Sequence, residues 1–98
     1  MILLGTTTVG TAGTAVQLIN NSGMAKSIIL KAPTSNSDDG AIYIGYAPES
    51  PATAVAEANG FKLGKGEQVA LDGVECLASA FYADSASNGD KVTWAIDI

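Results

Sequence analysis

Histidine and arginine are missing from this chain of 98 residues, and cysteine occurs once. Each absence closes a route to function. Without histidine, neither a Ser-His-Asp nor a Cys-His arrangement can be assembled. A net charge of −5 and the lack of arginine leave no basic face for phosphates, so nucleic acid is not an expected partner. A lone Cys76 makes no disulfide within the chain, and nothing calls for an oxidising compartment, which points to synthesis in the cytoplasm. Charge itself is missing from the first quarter of the sequence, where the first charged side chain is Lys26. The opening Met-Ile-Leu-Leu-Gly lacks both the basic region of a secretion signal and the length of a membrane span, so no membrane association is expected. So long an uncharged stretch requires cover, from the protein's own core or from a partner.

The residues present speak for strands. The apolar fraction is 47%, much of it alanine, and a chain of this length makes one domain that buries roughly 60–70% of its unfolded surface. Short runs of branched apolar residues recur at Ser27–Ala32, Ala41–Tyr46, Glu67–Leu71, Leu77–Ala83 and Lys91–Ile98. Alternation is clearest in the last of these, with Val92, Trp94, Ile96 and Ile98 on one side and Thr93, Ala95 and Asp97 on the other. Ala15–Ile19 and Ile2–Thr8 read as further strands. Asp39-Gly40, Asp72-Gly73 and Asn88-Gly89 are turn dipeptides. The expected fold is all-β: a single antiparallel sandwich or small barrel of about six to eight short strands. At most one short helix is expected, near Pro51–Asn59, with Ser50 as its cap and Pro51 at its first position. Residues 1–14 form an extended N-terminal arm or the first strand, and 15–98 the sandwich domain. The expected buried face carries Val92, Trp94 and Ile96 with Ile28, Leu30, Ile42, Ile44, Val69 and Leu71.

Residues suited to chemistry are scarce. Asp38, Asp39, Asp72, Asp84 and Asp90 are the candidate carboxylates for acid–base work, and all read as turn residues, where aspartate bonds to its own backbone. Asn36, Asp38 and Asp39 offer oxygen ligands in one loop, but without the alternating acids and closing glutamate of an EF-hand, so no metal site is assigned. Cys76 reads as a small apolar residue at the entry to a strand rather than a nucleophile. Trp94 runs in phase with Val92 and Ile96, which makes it core rather than a sugar platform. The chain is therefore read as having no enzymatic activity, no catalytic residue and no cofactor. The residues left for partner contact are Ile2, Leu3, Leu4 and Val9 in the uncharged N-terminal segment, and Tyr46 at the end of a strand.

The segments SIILKAPTSNSDDGAIYIGYAP, NGFKLGKGEQVAL and SAFYADSASNGDKVTWAID carry a likeness to a known family. A strand ending Leu30-Lys31-Ala32 leads through Asn36 to Ile42-Tyr43-Ile44-Gly45. A strand with Gly60, Phe61, Leu63, Gly66 and Glu67 follows. A hairpin with Phe81-Tyr82-Ala83, Gly89, Val92 and Trp94 closes the pattern. This resembles the small β-sandwich virion proteins of tailed bacteriophages, over roughly 27–97. The resemblance implies a structural component of a phage particle: a capsid decoration (cement) protein that bridges subunits of the major capsid protein. It implies location on the virion's capsid surface after synthesis in the host cytoplasm, and self-association, as a trimer before a dimer. A tail, fibre or baseplate module that binds host surface glycans is the alternative. No functional residue is carried over, because the motif consists of strand and turn positions.

Overall fold

The computed structural model describes residues 1–37, 41–47 and 60–98. Eight strands run in chain order among them: β1 (Ile2–Val9), β2 (Val16–Gln17), β3 (Met24–Lys31), β4 (Ala41–Tyr46), β5 (Phe61–Gly64), β6 (Gln68–Leu77), β7 (Phe81–Ser85) and β8 (Asp90–Asp97). They form two four-stranded sheets, ordered β1-β8-β3-β6 and β2-β7-β4-β5, and every neighbouring pair is antiparallel. The pairing has one simple rule. β1 pairs with β8, β2 with β7, β3 with β6 and β4 with β5, as in one long hairpin folded at its middle. The ribbon then wraps, placing β8 beside β3 and β7 beside β4. This is the jelly roll, and the expected sandwich is two-layered rather than a closed barrel.

The alternation read from the sequence sets what each sheet buries. Val9, Ile28, Leu30, Val92 and Ile96 point inward from the first sheet. They meet Ile42, Ile44, Leu63, Phe81 and Ala83 of the second, with Leu18 and Ile19 closing one end. Tyr43, on the opposite side of β4 from Ile42 and Ile44, is buried with Ala41 against Ala15 and Tyr82. Three residues of the expected core fall short. Trp94 and Val69 are only half-buried, and Leu71 is 37% exposed, because both β6 residues lie on an edge strand.

Three local readings are corrected. Asp72-Gly73 does not end a strand. β6 runs through it, and the pairing with β3 slips between Ala25 and Ser27. Gly73 takes φ +70° there, and the Asp72 carboxylate accepts its N–H at 3.0 Å, so the same chemistry that makes a turn makes a bulge. The run Leu77–Ala83 is broken, since a 3-10 turn at Ala78–Ala80 separates β6 from β7. Asp84 and Asp90 lie in strands, not turns. The helix expected near Pro51–Asn59 lies outside the described residues.

Ile2–Val9 lies in the first sheet, matched to β8 from Ile2↔Asp97 to Val9↔Asp90. Gly5 faces Trp94 across this pair, and any side chain there would overlap the indole. The indole N–H donates to Thr7 Oγ1 at 3.1 Å, and the Thr7 hydroxyl donates to the Leu18 carbonyl at 2.7 Å. Trp94 is thus a tethered wall of the sandwich, seated in a gap that glycine leaves.

At the far end of β3, the register that pairs Lys31 with Thr93 would next bring Pro33 opposite Lys91. Proline has no N–H to give. The Asn36 side chain takes its place, donating Nδ2–H to the Lys91 carbonyl at 2.9 Å and accepting the Lys91 N–H on Oδ1 at 2.8 Å.

Candidate interaction surfaces

Among the described residues, the buried candidate carboxylates are spent on the fold. Asp84 is buried, and its Oδ1 accepts N–H groups of Gly13 at 2.9 Å and Ser85 at 2.8 Å. Asp90, also buried, takes the Ser37 N–H on one oxygen and the Ser37 hydroxyl on the other, each at 3.0 Å. Asn36 is committed to Lys91, and Asp38 and Asp39 lie outside the described residues. No group of three His, Cys, Asp or Glu among the described residues is placed to hold a metal ion. Cys76 is half-buried against the core, and burial pushes its thiol above the ordinary range, which keeps it protonated at neutral pH.

Among the described residues, exposed apolar side chains gather mainly in two places. The first is a groove at the open rim of the sandwich, between β5 and β6, where the two sheets end side by side. Tyr46, Phe61, Leu71 and Val69 border it, and Leu30 and Phe81 form its floor. The cavity is about 200 Å³. Phe61 is 59% and Tyr46 47% exposed. The Tyr46 ring stacks tilted on Phe81 with centroids 5.1 Å apart, and its hydroxyl accepts the Leu77 N–H at 3.0 Å. The ring is thereby fixed on both sides while one edge stays open. A hollow of this size falls short of the roughly 300–1,000 Å³ of ordinary small-molecule pockets. It matches one or two large side chains.

The second place is the outer face of the first sheet. Ile2, Leu4 and Ile29 project there, 70%, 77% and 45% exposed.

The five residues assigned to partner contact therefore do not form one site. Ile2 and Leu4 lie on the outer face of the first sheet. Leu3 and Val9 alternate to the inside, Leu3 half-buried and Val9 fully buried in the core. Tyr46 stands at the groove, at the β5–β6 end of the sandwich, whereas β1 is the edge strand at the other end. Ile29, Phe61 and Leu71 complete the two surfaces: Leu71, expected in the core, borders the groove instead, and Ile29 and Phe61 are not among the expected contact residues. Ile29 had a signal in the sequence: in a strand, three consecutive apolar residues Ile28-Ile29-Leu30 must turn one outward.

The two-sheet fold recurs in known structures. A scan against models of protein families finds no match, and neither does a search of curated proteins by sequence. Among solved structures, Bacillus endospore appendages, described as a family of disulfide-linked pili, align over 100% of this chain and 86% of theirs. The TM-score is 0.55 at 14% identity. The hydroxypropylphosphonic acid epoxidase from S. wedmorenis aligns over 99% of this chain and 43% of its own, with a TM-score of 0.47 at 13% identity. At 14% identity the likeness to the appendages is one of fold.

Proposed function

We propose that this chain is a structural subunit of a protein assembly, and specifically a decoration protein that stabilises a tailed-phage head by bridging subunits of the major capsid protein. The observation that carries this reading is the rim groove. Rings and aliphatic side chains line it, the Tyr46 hydroxyl, the one polar side-chain group among its described lining residues, accepts the Leu77 N–H, and its volume suits a side chain of another protein. Such a surface works by burying apolar area, and many weak copies on a lattice add up to a firm shell. The jelly roll supports the reading, being a fold used by viral capsid domains, as does the likeness to small virion proteins over 27–97. The buried, bonded state of Asp84 and Asp90 argues against an enzyme. Self-association belongs to the same proposal.

A second reading, an appendage subunit, is favoured by the fold shared with the spore pili. Disulfide links along a filament need at least two thiols per subunit. Cys76 is the only one in these 98 residues, so a filament of this chain would hold by surface contact. Electron microscopy of particles carrying a labelled copy tests the first reading. Copies that follow the capsid lattice are expected. A few copies at one vertex, or none on the head, would overturn it.

A further inference from the structure

We propose that the outer face of the first sheet binds a second copy of this chain, sheet against sheet, with the strands of the two copies antiparallel. The register of the four strands lays out this face in rows. The middle row is apolar: Leu4, Ala95, Ile29 and Ala70 stand side by side across β1, β8, β3 and β6. The row toward the end of β8 is acidic, with Asp97 and Asp72 flanking Ser27. On the other side of the middle row, Lys31 stands between Thr93 and Gln68. Among the described residues Lys31 has no ion-pair partner.

This pattern is complementary to itself in one orientation. A two-fold axis lying along the apolar row exchanges the acidic row of one copy with the basic row of the other. Lys31 of the second copy then faces Ser27, with Asp72 and Asp97 about 5 Å to either side, the spacing of neighbouring strands. The same contact occurs twice by symmetry. On the axis itself Ile29 of one copy meets Ile29 of the other and Leu4 meets Leu4, so the apolar row is buried against its own copy. The alternative two-fold, along the strands, sets acid on acid and lysine on lysine, so charge selects the antiparallel pair.

The acids keep room for this role. Asp72 uses one oxygen for Gly73, and Asp97 holds the Met1 amine at 3.2 Å on its exposed side. Four strands about 4.8 Å apart present a small face, at the low end of specific interfaces, so the pair is held loosely in isolation. A two-fold face makes a dimer, not the trimer that the virion resemblance implies. It concerns the isolated chain and stands or falls apart from the role on a particle.

Sedimentation equilibrium decides the matter. The mass should rise with concentration from 9.9 kDa toward twice that value, and 0.5 M salt should weaken the rise. Lys31→Glu should raise the dissociation constant by about tenfold or more, and adding Asp97→Lys to that variant should recover most of the loss. Ile29→Glu should abolish pairing. Circular dichroism melts verify that each variant is folded. If Ile29→Glu does not fold, Lys31→Glu, which removes no core contact, carries the test. A mass that stays monomeric to millimolar concentration overturns the proposal. So does a trimer, or a dimer indifferent to Ile29→Glu and Lys31→Glu, which would pair by another surface such as the edge of β1.

Discussion

Replacing Gly5 with alanine tests how Trp94 is seated. A methyl group on Gly5 would stand 2.7 Å from Cε2 and Cη2 of the indole and closer still to Cζ2, whereas carbon atoms rest at about 3.5–4.0 Å. The backbone is no obstacle, since Gly5 is not among the glycines with positive φ. The strain falls on the ring, which has to shift by about 1 Å to restore contact. Overpacking of this kind costs about 1–3 kcal/mol. The shift also stretches the bond from Nε1–H to Thr7, worth about 1 kcal/mol. Alanine returns about 0.4–1 kcal/mol by restricting the unfolded chain. A net loss of about 1–3 kcal/mol follows, which lowers Tm by about 5–20 °C in a domain this small. The cause is specific, so it couples to its partner. In a Trp94→Leu background the same Gly5→Ala change should cost nothing or stabilise slightly, giving a coupling energy of at least about 1 kcal/mol. Calorimetric melts of the parent, both single variants and the double variant measure it. Equal costs in the two backgrounds, or no cost in the parent, refute the close packing of Gly5 and Trp94.

Two further outcomes follow from the bonds described. Asn36→Ala should lower stability by about 1–3 kcal/mol, because it strands both backbone groups of Lys91. In urea the midpoint should fall with an unchanged m-value, and an unchanged midpoint would show that water replaces the carboxamide without loss. Cys76 should react with iodoacetamide more slowly in the native than in the denatured chain at pH 8, because burial raises its thiol pKa. Its reaction should accelerate as pH rises through that raised value, and equal native and denatured rates at pH 8 would contradict the burial.

How much of the sandwich is legible in one dimension depends on the range of the interaction. Ala41–Tyr46 is a strand in both sequence and structure because alternation is a local property: Ile42 and Ile44 need one side and Tyr43 takes the other. Asp72-Gly73 misleads for a physical reason. A glycine at positive φ after an aspartate reverses a chain when nothing holds the flanks, and bulges a strand when β3 pairs with it on both sides. The break at Ala78–Ala80 has no such signal, since Ala78-Ser79-Ala80 contains neither glycine nor proline to mark it.

Leu3 and Leu4 mark the limit for the interaction surfaces. Their alternation was readable, but which of the two meets the core was decided by β8, some 90 residues away in the chain. The groove depends on the tertiary structure still more strongly. Tyr46, Phe61 and Leu71 are ordinary strand residues, exposed together only because β5 and β6 are the edges of two different sheets that end side by side. Composition by itself removed histidine-based catalysis and a disulfide within these 98 residues, because those need residues that are absent. The period of the apolar residues determined that the chain is all β. Pairing β1 with β8 and β2 with β7 was decided in three dimensions, since closing loops of that length is repaid only when both sheets bury their inner faces at once.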